Sequence, residues 1–217
     1  YGSVYATHMR DEEDFVLEAL AEAIDASRKS RISLQISHLK TCYPHNWEKI
    51  DQALAKIEEA KKEGIDIFCD RYPYNAFATG LSSYFPLWAR EGKDEDFLKR
   101  LGDPSLESKI RSHLAEGEKN LGCWDKVLIS SVFSEKNKKF EGKNILESSK
   151  EEKKEPFEFM RDLLIEEKNR VGIIAFAMSE DNLRKILAHP LVGIGTDGSA
   201  ISPYGLLGRG EPHPRHY

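Results

Sequence analysis

The feature that most constrains this chain is a rhythm in its opening stretch, where short apolar alternations take turns with helical spacing. Val16, Ala19, Leu20, Ala23 and Ile24 recur at helical intervals just after the acidic Asp11-Glu-Glu-Asp14, whose charges suit a helix N-terminus. Arg31-Ile-Ser-Leu-Gln-Ile-Ser37 alternates Ile32, Leu34 and Ile36 with polar neighbours and runs into His38, which is the pattern of a short strand. Trp47, Ile50, Leu54 and Ile57 share one face of a second helix ending near Lys62, and Gly64 is placed to terminate it. Ile65-Asp-Ile-Phe-Cys-Asp-Arg71 then reads as a third strand. Strands separated by single helices imply βαβ units and a parallel sheet, in which the loops at the carboxyl ends of the strands hold the site. His8, His38 and Asp70-Arg-Tyr-Pro-Tyr74 all stand at such ends.

From about Gly80 to Arg170 the texture changes to one rich in Lys, Glu, Asp, Ser and Asn, with short apolar patches such as Trp124-Asp-Lys-Val-Leu-Ile-Ser130. This predicts an inserted, mostly helical segment with a modest core of its own, lying as a lid over the mouth. The charged run Ser148-Ser-Lys-Glu-Glu-Lys-Lys-Glu155 reads as a solvated loop leading into a helix over 156–167. Val171-Gly-Ile-Ile-Ala-Phe-Ala177 reads as a strand, Ser179-Glu-Asp-Asn as a capped helix start and His189-Pro190 as that helix's end. Leu191-Val-Gly-Ile-Gly-Thr196 is a further strand that delivers Asp197 into a glycine-containing turn. The expected organisation is βα units over 1–80, the insertion over 81–170, and a last strand with its active-site loop over 171–217. The chain begins in a strand already under way, without an initiator Met or a leader, and stops inside a loop, so a piece of a longer protein is expected.

Composition excludes several classes. Thirty-two Lys and Arg against 37 Asp and Glu leave a net charge of -5, which offers a polyphosphate no general attraction, so nucleic acid is not an expected partner. No apolar run approaches the roughly eighteen residues needed to span a bilayer. The cysteines Cys42, Cys69 and Cys123 are odd in number and widely spaced, which provides neither a disulfide framework nor a Cys-x-x-Cys knuckle and fits a reducing cytoplasm.

His8, His38 and Asp197 each lie at or just past a strand's carboxyl end, where a parallel fold brings distant residues together. Two imidazoles and a carboxylate suit a zinc-type ion, the carboxylate serving as ligand, base or both; taken singly, a histidine at a strand end is more often structural. Six strings then occur in order: Tyr5-Ala-Thr-His-Met-Arg-Asp-Glu12, Ile36-Ser-His-Leu-Lys40, Asp70-Arg-Tyr-Pro-Tyr74, Met178-Ser-Glu-Asp181, Ile194-Gly-Thr-Asp-Gly198 and Pro212-His-Pro-Arg215. Together they resemble the D-aminoacylase family, the N-acyl-D-amino-acid deacylases of the metal-dependent amidohydrolase superfamily. The resemblance touches almost the whole chain outside roughly residues 90 to 155.

That resemblance implies an α/β fold, the C-terminal half of a TIM-type (β/α)8 hydrolase barrel carrying the inserted lid. It implies zinc as cofactor with His8 and His38 as ligands, and Asp197 as the catalytic carboxylate that moves a proton from the attacking water to the leaving amine. Lys40 and Arg215 fall on the family's substrate-carboxylate contacts, Met178 on its side-chain pocket, and Tyr72 and Tyr74 lie near enough to the mouth to touch substrate. Arg215 would bind through a fork that a lysine cannot supply. His213 is taken as structural within its string, while His45, His113 and His189 have no supporting context. Cys42 follows both histidines, whereas the family's cysteine ligand precedes them, so Cys42 does not match.

The chain also departs from the family. No His-x-His pair occurs, and the ligand cysteine and first four strands have no counterpart. A half barrel with open sheet edges is expected to self-associate or borrow strands, and the isolated chain is expected to show little activity. The implied reaction of the parent protein is hydrolysis of N-acyl-D-amino acids. The alternatives are a cyclic-amide hydrolase of the hydantoinase or dihydroorotase type, or a non-catalytic assembly module.

Overall fold

The structure, a computed structural model, describes residues 2–199 and Tyr204. In chain order the elements are β1 (Val4–Thr7), α1 (Val16–Ser30), β2 (Ser33–Ile36), α2 (Lys49–Lys62), β3 (Ile67–Arg71) and β4 (Phe77–Gly80). They continue with α3 (Leu87–Arg90), α4 (Asp94–Leu101), α5 (Pro104–Leu121), β5 (Val127–Ser131), α6 (Ile145–Glu151) and α7 (Pro156–Glu166). The last three are β6 (Gly172–Ala175), α8 (Glu180–Leu187) and β7 (Val192–Ile194). The chain divides into two compact units, one joining residues up to Asn75 with residues from Met178 onward, the other Ala76–Ala177.

The first unit is α/β. Its sheet has the order β1-β2-β3-β7 with every pair parallel, so the loops after all four strands leave at the same end. Period-2 alternation places Leu34, Ile36, Ile67 and Cys69 on one face. There they are buried in one core with Val16, Leu20 and Ile24 of α1, Ile50 and Ile57 of α2, and Ile186 of α8. On the opposite face Val4 and Phe68 are exposed. The acidic run behaves differently from its sequence reading, because α1 starts only at Val16 and has Glu18 as its first-turn acid. Asp11 accepts the amides of Glu13 (2.8 Å) and Phe15 (3.0 Å), forming a turn ahead of the helix.

The second unit has a three-stranded antiparallel sheet, ordered β4-β6-β5, packed with α3 to α7. The strand expected over 171–177 forms as β6, and it pairs with β4 and β5 and not with β7, so the stretch 171–217 grouped together in the sequence holds strands of two sheets. Alternation in Gly172–Ala175 cannot specify a partner; pairing with segments distant in sequence decides it. The core is more than modest, with edge-to-face ring pairs Phe85–Phe97, Phe140–Phe159 and Tyr84–Trp124. The expected loop over 148–155 begins as helix. Asn144 Oδ1 accepts the Glu147 amide (2.8 Å) while Glu147 accepts the Asn144 amide (3.2 Å), a capping box that starts α6 and buries Ser148 and Ser149. Among the described residues no helix is long and apolar enough to cross a membrane.

Candidate metal centre

β1 and β2 pair in register with Thr7 opposite Ile36, so His8, one residue past the first, and His38, two past the second, emerge side by side. His8 Nδ1 faces His38 Nε2 in direct contact, with ring centroids 4.5 Å apart. His38 holds a left-handed backbone with φ of 41°, uncommon for a residue with a side chain. Asp70 secures it. The His38 amide donates to Asp70 Oδ1 (2.7 Å), the Leu39 amide donates to the Asp70 carbonyl (2.9 Å), and Gln35 Nε2 holds Asp70 Oδ2 (2.8 Å).

On the far side of the His38 ring lies a charged pair. Lys40 Nζ is 2.6 Å from Glu12 Oε1 and 2.7 Å from His38 Nδ1, and the same Glu12 oxygen is 3.0 Å from His38 Nδ1. Lys40 is 4% exposed, which fits a lysine held by partners better than a surface one. Burial would raise the Glu12 carboxyl, but the hydrogen bond to His38 and the charge and hydrogen bond of Lys40 outweigh it and hold Glu12 below the usual range.

Tyr72 is buried with its ring 6.1 Å from that of His38. Burial pushes its phenol upward against the neighbouring Arg71 charge, so it stays a neutral hydroxyl at ordinary pH. Arg71 stacks on this ring at 4.1 Å and donates through Nη2 to the Tyr74 carbonyl (2.6 Å) and to Met178 Sδ (3.1 Å). It is 1% exposed, and its Nε and Nη1 find no hydrogen-bond partner among the described residues. Met178 is buried and Tyr74 half-buried, their Asn75 and Met178 backbones joined by a 3.3 Å hydrogen bond.

The sequence-derived constellation is thus partly assembled. His8, His38, Lys40 and Tyr72 come together, with Met178 and Tyr74 tied in through Arg71. Asp197 follows β7 at the same sheet end, exposed and with φ of 51°. No group of three His, Cys, Asp or Glu able to hold an ion occurs among the described residues, so Asp197 does not join the histidines. Arg215, His213 and His216 lie outside the described residues. Cys42 is buried with its thiol pushed up to about 12 by burial, which leaves it protonated and a poor ligand. His45 pairs with Asp14 and His189 with Glu58.

Two imidazole nitrogens are donors of the type a zinc-type ion takes, but they touch each other directly and are two of the four ligands such an ion usually has. Glu12, Asp70 and Arg71 escaped the sequence reading as site residues. Glu12 reads there as part of a helix-start pattern and the end of the first string, and Asp70 and Arg71 as the start of the third; the signal that points to them is Glu12 lying four residues after His8 and Asp70 and Arg71 directly preceding Tyr72.

Fold and site together define an α/β unit whose parallel strand ends bring two imidazoles and a buried lysine together. Comparison with known proteins narrows this. No family model matches the chain. It is 27% identical over 214 residues to N-acyl-D-glutamate deacylase and 25% identical over 219 residues to D-aminoacylase, both from Alcaligenes xylosoxydans xylosoxydans. Each match spans 99% of this chain but 34% of the relative, so the chain covers about a third of the length of its curated relatives. Among solved structures, a D-aminoacylase described as having a binuclear metal centre superposes with a TM-score of 0.62 at 27% identity, covering 91% of this chain and 32% of that one. N-acyl-D-glutamate deacylase from Bordetella bronchiseptica, solved with zinc and a phosphonate inhibitor, shares the fold, with a TM-score of 0.66 at 22% identity, covering 91% and 33%. The relatives of this chain are therefore N-acyl-D-amino-acid deacylases, amidohydrolases that act on linear amides, as the six strings imply.

Proposed function

We propose that this chain is the C-terminal half of the catalytic barrel of a metal-dependent deacylase that hydrolyses N-acyl-D-amino acids to a carboxylate and a free D-amino acid. The observation that carries this reading is the convergence of His8 Nδ1 and His38 Nε2 beside a buried Lys40. Zinc, held by His8 and His38 with ligands from outside this chain, would supply Lewis-acid polarisation of the acyl carbonyl and acidify water. The chain's own residues do the rest. Lys40, fixed by Glu12, offers a point charge to the substrate carboxylate, and Arg215 a forked contact to the same group. Neutral Tyr72 can donate a hydrogen bond, and Met178 and Tyr74 shape the side-chain pocket. Asp197 takes a proton from water and returns it to the departing amine. With two ligands in hand, the 217-residue chain by itself turns over little substrate.

The deciding experiment is zinc per chain, measured by elemental analysis beside His8→Ala and His38→Ala. Zinc bound by the parent chain and lost in both variants supports the centre; zinc retained in either removes that histidine from it. In the whole protein, Asp197→Asn should keep its metal and lose most of kcat, and an unchanged kcat would remove Asp197 from proton transfer.

A further inference from the structure

The structure assigns Arg71 the part of a positioning residue that fixes Tyr72, Tyr74 and Met178 relative to one another and so sets the side-chain selectivity of the site. The inference rests on the pocket role proposed for those three residues. Arg71 is the last residue of β3, and its carbonyl accepts the Gly195 amide (3.1 Å), which ties the strand end that carries it to the end of β7. Its guanidinium is a rigid plane whose N–H directions are fixed with it. One nitrogen, Nη2, donates to the Tyr74 carbonyl (2.6 Å) and to Met178 Sδ (3.1 Å), so a single atom sets the angle between these two partners. The guanidinium carbon lies over the Tyr72 ring, 4.1 Å from its centroid, and refers the third residue to the same plane.

Energetics favour orientation over stability as the work of this side chain. Arg71 is 1% exposed, and its Nε and Nη1 find no hydrogen-bond partner among the described residues. A buried cation satisfied only in part is costly, and an apolar side chain of similar size would fill the space without that cost. What an apolar side chain cannot do is order a methionine. Met178 has three rotatable side-chain bonds and a polarisable sulfur, so packing alone leaves it adaptable, whereas an N–H aimed at Sδ selects the rotamers that bring the sulfur to it. The backbone closes the same link, because the Met178 amide donates to the carbonyl of Asn75, the residue after Tyr74 (3.3 Å). Arg71 therefore acts through its neighbours: held on a strand, it gives a flexible pocket wall one shape.

Two measurements test this. The chain has three methionines, Met9, Met160 and Met178, so 13C-methyl labelling gives a spectrum in which the first and second report on the fold and the third on the pocket. The Met178 methyl should be a single ordered resonance in the parent chain and become rotamer-averaged in Arg71→Met and in Arg71→Lys, which keeps the charge without the fork, while Met9 and Met160 stay in place. A Met178 methyl that stays the same in both variants overturns the inference. In the whole protein, the ratio of kcat/KM for N-acetyl-D-methionine to that for N-acetyl-D-alanine should fall about tenfold in either variant, through KM for the longer side chain. Met178→Ala should lower the ratio as well, and adding Arg71→Met to it should change it little further, since one residue acts through the other. An equal loss on both substrates, or a fully additive double variant, would make Arg71 merely structural. An unchanged ratio in Met178→Ala removes Met178 from the pocket and the inference with it, whereas a changed ratio there and an unchanged one in Arg71→Met overturns the inference alone. The methionine spectra need neither substrate nor metal, so they judge Arg71 even where the whole protein fails to deacylate.

Discussion

Two buried or half-buried carboxylates, one in each unit, look alike in strength and differ in kind. Glu167, 1% exposed, accepts from the amides of Phe133 (2.6 Å) and Ser134 (3.0 Å), from the Ser134 hydroxyl and from Asn137 Nδ2 (2.7 Å). Its partners are neutral groups of its own unit, and all they do is close the loop ahead of the turn over Glu135–Phe140. Glu12 binds a lysine and a histidine, both able to exchange protons or meet a ligand. Both carboxyls titrate below the usual range. In Glu167 burial, which would raise it, is outweighed by the Ser134, Asn137 and Phe133 donors; in Glu12 it is outweighed by His38 and Lys40. The lesson is that a depressed carboxyl does not mark a site; the chemistry of its partners does.

The largest expected effect breaks the structural half of this comparison. Glu167→Ala strands buried donors without an acceptor and should cost about 4 kcal/mol, read from urea unfolding with hydrogen exchange localised to Ala76–Ala177. Glu12→Ala should cost less, about 1 to 2 kcal/mol, because Lys40 retains His38 Nδ1 and the His38 carbonyl as acceptors. Equal losses would dissolve the distinction.

Acid sharpens it next. A carboxyl depressed in the folded state contributes stability that is complete above the unfolded value of about 4.3 and is lost as pH falls through the folded value. Stability of the second unit should therefore drop on acidification below that point, and Glu167→Gln should flatten the drop. A variant with the parent's acid slope would show that other groups carry it.

Arg71→Met should change stability by no more than about 1 kcal/mol. The contacts to the Tyr74 carbonyl, Met178 Sδ and the Tyr72 ring are lost, but so is a buried cation with two nitrogens unpartnered among the described residues. A loss beyond about 2 kcal/mol would mean the guanidinium is well satisfied. Smallest of all, Arg184→Ala removes an exposed pair with Glu180 and should cost about 0.5 kcal/mol or less by thermal unfolding.

Much of the first unit was legible from local pattern. The periods of 2 and 3.6 located α1, β2, α2 and β3, cap and stop residues located α8, and the strand ends located His8 and His38. The second unit was less legible because its register is non-local: nothing within Gly172–Ala175 reveals that its partners are Phe77–Gly80 and Val127–Ser131. Glu12 was hidden for a related reason. Four acids before a helix look interchangeable, and only the folded loop gives the first of them to α1's entry turn and the second to His38.

The sequence by itself determined that the chain alternates strand and helix, that histidines follow two of its strands, and that its relatives are deacylases, since each follows from local periodicity or ordered strings. Tertiary structure alone decided which sheet each strand joins, that His8 and His38 face one another, and that Glu12 and Lys40 contest one ring nitrogen. Most of these are contacts between residues far apart in the chain, and side-chain period says which face a residue occupies but never what it will meet there.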